Sequence, residues 1–291
     1  RWFLWSRICL VQLDDTWTPI HGTNKLLPLH TRFDNWGAED PRLFVFQNKL
    51  HMAYGDGSRM LLATFTDKGE LIKSKYVPTE EEVGSPFEQQ SKEKNWGFFS
   101  VKNRLFAQQY AAPNIIIEFD PDNWNVIDKW THEWVWRSPH GAELHGGSSP
   151  VFHNGKLWRF CHCYKSMSRG PWINWAGQEL KDFTAARYSV FLVELDPNPP
   201  FHPLSVSREP ILWTDFDGKN AVSPTPHAVV FIGSAERSEN GWTLVYGEND
   251  NRIVVQTLPD SDLGDRIPIR FKDPHTGESN GLNVLHFFWL Q

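Results

Sequence analysis

Cysteine is scarce in this 291-residue chain: there are 3, at 9, 161 and 163, too few for a disulfide framework. Cys161 and Cys163 sit two apart. In a strand their side chains point the same way, but the stretched backbone between them keeps a bridge out of easy reach. Long apolar runs are also missing. None approaches the roughly 18 residues that a membrane-spanning helix needs, so no membrane insertion is expected. Basic excess is missing too. Lys and Arg number 29 against 35 Asp and Glu, a formal charge of -6. That balance offers nothing to nucleic acid, and no Lys/Arg block suits an anionic membrane. No asparagine begins an Asn-x-Ser/Thr sequon. With so little cysteine, this leans toward a cytoplasmic rather than a secreted setting. Methionine is rare (3), and the chain opens at Arg1 with no signal peptide visible. It is expected to be a piece excised from a longer protein.

Helical periodicity is absent as well. The 20 Pro and 20 Gly are scattered, and no long stretch places apolar residues at i, i+3, i+4 and i+7. What the chain has instead is 15 Trp within an aromatic share of 14%, and one recurring pattern. A short apolar strand meets a polar turn, and a second strand follows that ends in aromatic residues. It runs through Arg42–Gly55, Gly97–Tyr110, Pro150–Tyr164 and Ala228–Gly247. Asn48, Asn103, Asn154 and Asn240 mark the turns, each beside Gly, Lys or Arg, as hairpins require. Repeats of about 50 residues built from hairpins are the mark of propeller blades. The longer last step predicts an insertion, with an irregular loop or short helix in 170–186. Strands at 7–15 and 252–258 could pair across the two ends and close a ring. The expected fold is all-β, a five-bladed β-propeller forming one domain over 1–291; a β-sandwich is the alternative.

Four segments carry candidate chemistry. In GAEDPRLF (37–44), Pro41 should push Asp40 into an extended conformation. Glu39 and Asp40 then face opposite sides, one toward a cleft and one bracing the loop beside Arg42. The segment also reads as an Asp-Pro turn with a surface ion pair. In EKNWGFF (93–99), Lys94 and Asn95 could bind sugar hydroxyls with Trp96 as a platform; equally, Trp96 could be a buried anchor. HGAELHGGSSPV (140–151) joins His145 to Gly147, which allows close backbone approach, or is a tight turn. VYGENDNRIVV (245–255) could line a cleft with Glu248 and Asp250, or be a plain turn. No metal site is expected. Two thiols on one face of a strand, with His162 on the other, defeat a three-ligand set. No nucleophile elbow, phosphate loop or dinucleotide motif is present, and no cofactor is expected.

Taken in order, GAEDPR, EKNW, GGSSPV, RFCHCY, YSVFLVELD, PHAVVF and YGEND resemble glycoside hydrolase family 130 over about residues 32–258. That family's five-bladed propellers include β-mannoside phosphorylases, β-1,2-mannosidases and mannosyltransferases. The resemblance implies an inverting enzyme that cleaves or forms a β-mannoside-type bond, with Asp40 as general acid. It implies an oligosaccharide or glycan substrate, with phosphate or a sugar-phosphate donor as a further partner. The substrate-binding set drawn from these motifs is Glu39, Arg42, Lys94, Asn95, Trp96, Gln109, His145, Gly147, His162, Tyr246 and Asp250. Two departures matter. Gln108 and Gln109 stand where phosphorylases carry an Arg, and Glu143 and His145 where a Lys precedes the glycine-rich turn. A phosphate dianion needs compensating charge, so a glycosidase or glycosyltransferase is expected over a phosphorylase. Glu143, Glu248 and Asp250 are candidates for a base. The competing readings are a carbohydrate-binding propeller without catalysis and a protein-interaction propeller. Trp158 and Trp242 are expected between blades, and Trp172 and Trp175 at a cleft rim.

Overall fold

The computed structural model describes residues 7–29, 37–56, 59–77, 95–134, 136, 138, 143–169, 172–173, 179–180, 183–213, 228–249 and 252–269, with the side chains of 166–185 excepted. Lys94, Asp250 and Trp175, and the side chain of Trp172, lie outside it. The described residues are all-β apart from one 3-10 turn, Asp260–Leu263. No helix among them is long and apolar enough to cross a membrane. The chain forms two compact units, Arg1–Gln109 with Ile116–Lys129, and Tyr110–Ile115 with Trp130–Gln291.

The strands are laid down as antiparallel meanders. A short pair, β1 (Cys9–Leu10) and β2 (Lys25–Leu26), comes first. β3 (Glu39–Phe46), β4 (Lys49–Gly55), β5 (Met60–Phe65) and β6 (Leu71–Tyr76) form a four-stranded sheet in sequence order. β7 (Gly97–Val101), β8 (Arg104–Tyr110), β9 (Asn114–Phe119) and β10 (Val126–His132) form another. The third sheet orders β11 (Leu144–Gly147), β13 (Lys156–Arg169), β16 (Phe183–Leu195), β17 (Pro203–Ser207) and β22 (Arg266–Pro268). β12 (Val151–His153) pairs with β13 in it, and β18 (Leu212–Trp213) with β16. β14 (Trp172–Ile173) and β15 (Glu179–Leu180) pair with each other. β19 (Val230–Ser238), β20 (Gly241–Glu248) and β21 (Arg252–Leu258) complete the series.

The hairpin turns are where the asparagines placed them. Gln47 and Asn48, Lys102 and Asn103, and Asn154 and Gly155 all have positive φ. Two successive positive values are what a type I′ turn requires, and its twist matches that of the flanking strands. The insertion is an extension of a hairpin: β13 and β16 stay paired from Leu157–Leu195 out to Arg169–Phe183. The described parts of the segment, β14, β15 and the start of β16, are strand rather than the loop or helix expected there; 170–171, 174–178 and 181–182 lie outside the described residues. The expected pairing of the two chain ends is not what β1 does. It pairs with β2, a partner closer in sequence and so cheaper in loop closure.

The middle strands are buried on both faces. Met52, Tyr54, Leu61, Ala63 and Phe65 pack in one core with Ile8 and Leu27. Ala53, Met60 and Leu62, from the same two strands, pack in a second core with Trp96, Phe98, Phe119 and Trp124. In the other unit, Trp158, Phe160, Val190, Leu192, Val230, Ile232, Trp242 and Leu244 form a third. Sequential alternation sends neighbouring side chains to opposite faces, so a strand between two cores is largely apolar. The edge strand β6 carries Lys73 and Lys75, which discourage further pairing.

Two histidines are held neutral by these surroundings. His51 stacks on Phe44 at 5.3 Å and bonds Thr64; burial lowers its pKa. His132 lies 4.1 Å from the His202 ring, with Asn114 at its Nδ1. Burial first, and His202 second, bring its pKa from 6.5 down to about 4. An unfolded chain therefore binds these protons at a higher pH than the native one does. Their contribution to stability is present in full above about pH 6.5 and drains away as the pH falls below it, for His132 down to about 4. The thermal midpoint should drop across that window, and His132→Asn should flatten the drop in a pH series of melting curves.

Candidate functional site

Each unit holds a candidate constellation, and each is built on a bulge. In the first unit Glu39 pairs with Gly55 and Arg42 with Ala53, so Asp40 and Pro41 together oppose Tyr54. Such a two-against-one insertion re-aims side chains. Asp40 is half-buried with φ of 50°. The extended conformation expected ahead of Pro41 is therefore overturned, and with it the simple opposition of Glu39 and Asp40. The pre-proline preference is a local bias, and the bulge with its tertiary anchor overrides it. A non-glycine residue held there stores about 1–3 kcal/mol of strain.

The anchor is Arg42, whose relative exposure is 2%. It donates from Nη1 to the Asp40 carbonyl at 3.0 Å and from Nη2 to Asn95 Oδ1 at 3.1 Å. Arg42 was expected to touch substrate; its guanidinium is instead committed inside the protein. Asn95 is buried with φ of 67°, a conformation that asparagine tolerates better than most residues. Trp96, expected as a platform, has no exposed surface at all. It sits just ahead of β7 in the second core, 6.3 Å from the Phe98 ring. Gln108, opposite Gly97, and Gln109 are both buried at the end of β8.

In the second unit the bulge lies between Leu144–Cys163 and Gly147–Cys161, so His145 and Gly146 oppose His162. Gly147 is obligatory: a Cβ there would come within 1.8 Å of the Phe160 carbonyl oxygen. The next residues are sewn to β13. Ser148 N donates to Phe160 O at 2.9 Å, Phe160 N to Ser148 Oγ at 3.2 Å, and the fully buried Arg159 to Ser148 O at 2.8 Å.

This stitching sets His145 into a stack of rings. His145 lies 5.3 Å from Tyr164 and 5.9 Å from His162. Tyr188 lies 5.5 Å from Tyr164 and 5.7 Å from His162, and Phe231 is 5.0 Å from His162. His162 is buried, whereas Tyr164 is 43% exposed and His145 and Tyr188 are partly so. Tyr164, Tyr188 and Phe231 were not singled out from the sequence. The signal was there: His162 and Tyr164 are two apart on one strand and so share a face. On the opposite face Cys161 and Cys163 are free thiols; burial raises the Cys161 pKa to about 11, which keeps it inert.

The YGEND turn is less open than expected. Tyr246 is buried in the third core, its hydroxyl donating to Gln256 Oε1 at 2.9 Å. Alternation on β20 sends this ring inward, so it is a packing residue. Glu248 is ion-paired with Arg252. Asn249 Oδ1 accepts from Val229 N at 2.9 Å, tying the turn to β19. Glu143 stands exposed at the start of β11.

No protein-family model matches the chain, and no curated protein sequence matches it. Solved structures do. One described as a glycoside hydrolase of family 130 that targets β-1,2-mannosidic linkages in Candida mannan has a TM-score of 0.64 and 14% identity, covering 88% of this chain and 76% of that one. The β-1,2-mannobiose phosphorylase from Listeria innocua has a TM-score of 0.62 at 16% identity, over 88% and 68%. A glycosyl hydrolase from Bacteroides ovatus follows with 0.58 at 15%, over 91% and 78%.

A methyl group at residue 147 cannot be accommodated without moving β11 off β13. Gly147→Ala should destabilise the protein by at least about 2 kcal/mol, read from denaturant midpoints. The chain has the all-β, propeller-type fold of the glycoside hydrolase family 130 structures that its ordered motifs resemble.

Proposed function

We propose that this chain is a carbohydrate-active enzyme that cleaves or forms a β-mannoside-type bond with inversion, using Asp40 as general acid. The observation that carries this reading is Asp40 itself. A carboxylate held at φ of 50° in a bulge, braced by a buried arginine, is strain stored where chemistry would use it. The ring stack of His145, His162, Tyr164 and Tyr188 supports a sugar substrate, since flat apolar faces with polar edges suit a pyranose. Of the sequence-derived set, Glu39, Asn95, Gln109, His145 and His162 remain proposed substrate contacts, alongside Lys94 and Asp250. Gln108 and Gln109 are neutral where a phosphate dianion would need charge. Hydrolysis or transfer is therefore favoured over phosphorolysis. Inverting hydrolysis also requires a base across the sugar ring from the acid, a role open to Glu143, Glu248 or Asp250.

The test is to incubate the protein with β-1,2-mannobiose, with and without phosphate, and to follow the products by proton NMR. The first product should be the α-anomer of mannose, formed without phosphate, and added phosphate should yield no mannose 1-phosphate. Asp40→Asn should lower kcat at least about 10³-fold, the upper part of the range for loss of an acid–base group. Absence of turnover with any mannoside, or an Asp40→Asn variant as active as its parent, would sink the proposal. Sugar binding without turnover, unchanged in Asp40→Asn, would point instead to a binding module built on the ring stack.

A further inference from the structure

Arg42 is costly where it stands. Removing a guanidinium from water carries a desolvation penalty of several kcal/mol that only well-placed partners offset. Its two established acceptors are the carbonyl of Asp40, two residues away, and the side chain of Asn95, 53 residues away in sequence. Both have left-handed backbones, at φ 50° and 67°, and neither is glycine. A joint built for stability alone would place glycine at 40, where positive φ carries no steric cost, and an apolar side chain at 42. The costly version places a carboxylate on the strained residue.

We propose that Arg42 is a positioning residue: its planar fork grips the Asp40 carbonyl and Asn95 together and thereby sets the direction of the Asp40 carboxyl. The geometry is direct. Pinning the Asp40 carbonyl fixes the plane of the 40–41 peptide, and with φ held at 50° the Cα–Cβ bond of Asp40 has a single direction. The second arm ties that bulge to the strand entry at Asn95, so the two groups move as one. Lysine cannot replace the fork, since an ammonium is a point charge without paired planar donors.

The inference rests on the reading of Asp40 as general acid. The experiment therefore has one kinetic and one structural arm. Arg42→Gln is assayed with β-1,2-mannobiose and crystallised. The expected result is a fall in kcat of about 100-fold, the scale of a misplacement of about 1 Å, with KM within about threefold of the parent. In the crystal, Asp40 should leave the left-handed region. A parent-like kcat, or Asp40 still at positive φ in the variant crystal, overturns the proposal. Should Arg42→Gln fail to fold, Arg42→Lys, which keeps the charge and gives up the fork, is taken through both arms on the same criteria. Should the parent turn over no mannoside, the catalytic reading fails, and the crystallographic arm alone decides whether Arg42 sets the Asp40 backbone.

Discussion

Burial of both faces of the inner strands is the constraint on which the rest depends. β4 and β5 lie between two cores, and their consecutive residues alternate between Met52, Tyr54, Leu61 and Ala63 on one side and Ala53, Met60 and Leu62 on the other. A strand in that position cannot slip by one residue without exchanging its whole set of contacts. Register is therefore fixed, and with it the places where the chain must turn. Two-residue turns with positive φ at Asn48, Asn103 and Asn154 follow from that register, because only the I′ twist lets the strands continue into the packed sheet.

The same constraint explains the tryptophans. Trp96, Trp124 and Trp242 are among the largest fully buried side chains. Wide rings fill the gap between facing strands with few rotamers to freeze, a role that methionine would fill with less definition. Several of the polar residues in these layers have charged or hydroxyl partners. Glu194 is buried yet meets Lys156 and Ser205. Glu118 meets Arg104, and Arg159 the Ser148 carbonyl.

Register shifts occur at several places in the described strands, and two of them, at 40–41 and 145–146, fall within motifs that carry candidate chemistry. At 40–41 the extra residue gives a carboxylate an aim that a regular strand would deny it. At 145–146 it seats an imidazole among aromatic rings and requires Gly147 at the crossing. In each case a rigid sheet holds an irregular residue in place, which is how a precise site is made from an otherwise repetitive fold.

The sequence by itself determined the fold class, the hairpin positions and the location of the insertion. These depend on local chemistry: period-two apolar runs, and asparagine or glycine where φ must be positive. It also singled out Asp40, Asn95, His145 and His162 as site candidates. The tertiary structure alone decided what surrounds them. Trp96 reads equally as a platform or an anchor until it is seen packed in the core beside Phe98. Pro41 argues for an extended Asp40 until the register shift against β4 is seen. Arg42 reads as a ligand contact until Asn95, distant in sequence, arrives at its Nη2, and Tyr246 until β20 turns its ring inward. Burial and partnership are properties of the assembled sheets, set by residues far apart in the chain, and no local pattern encodes them.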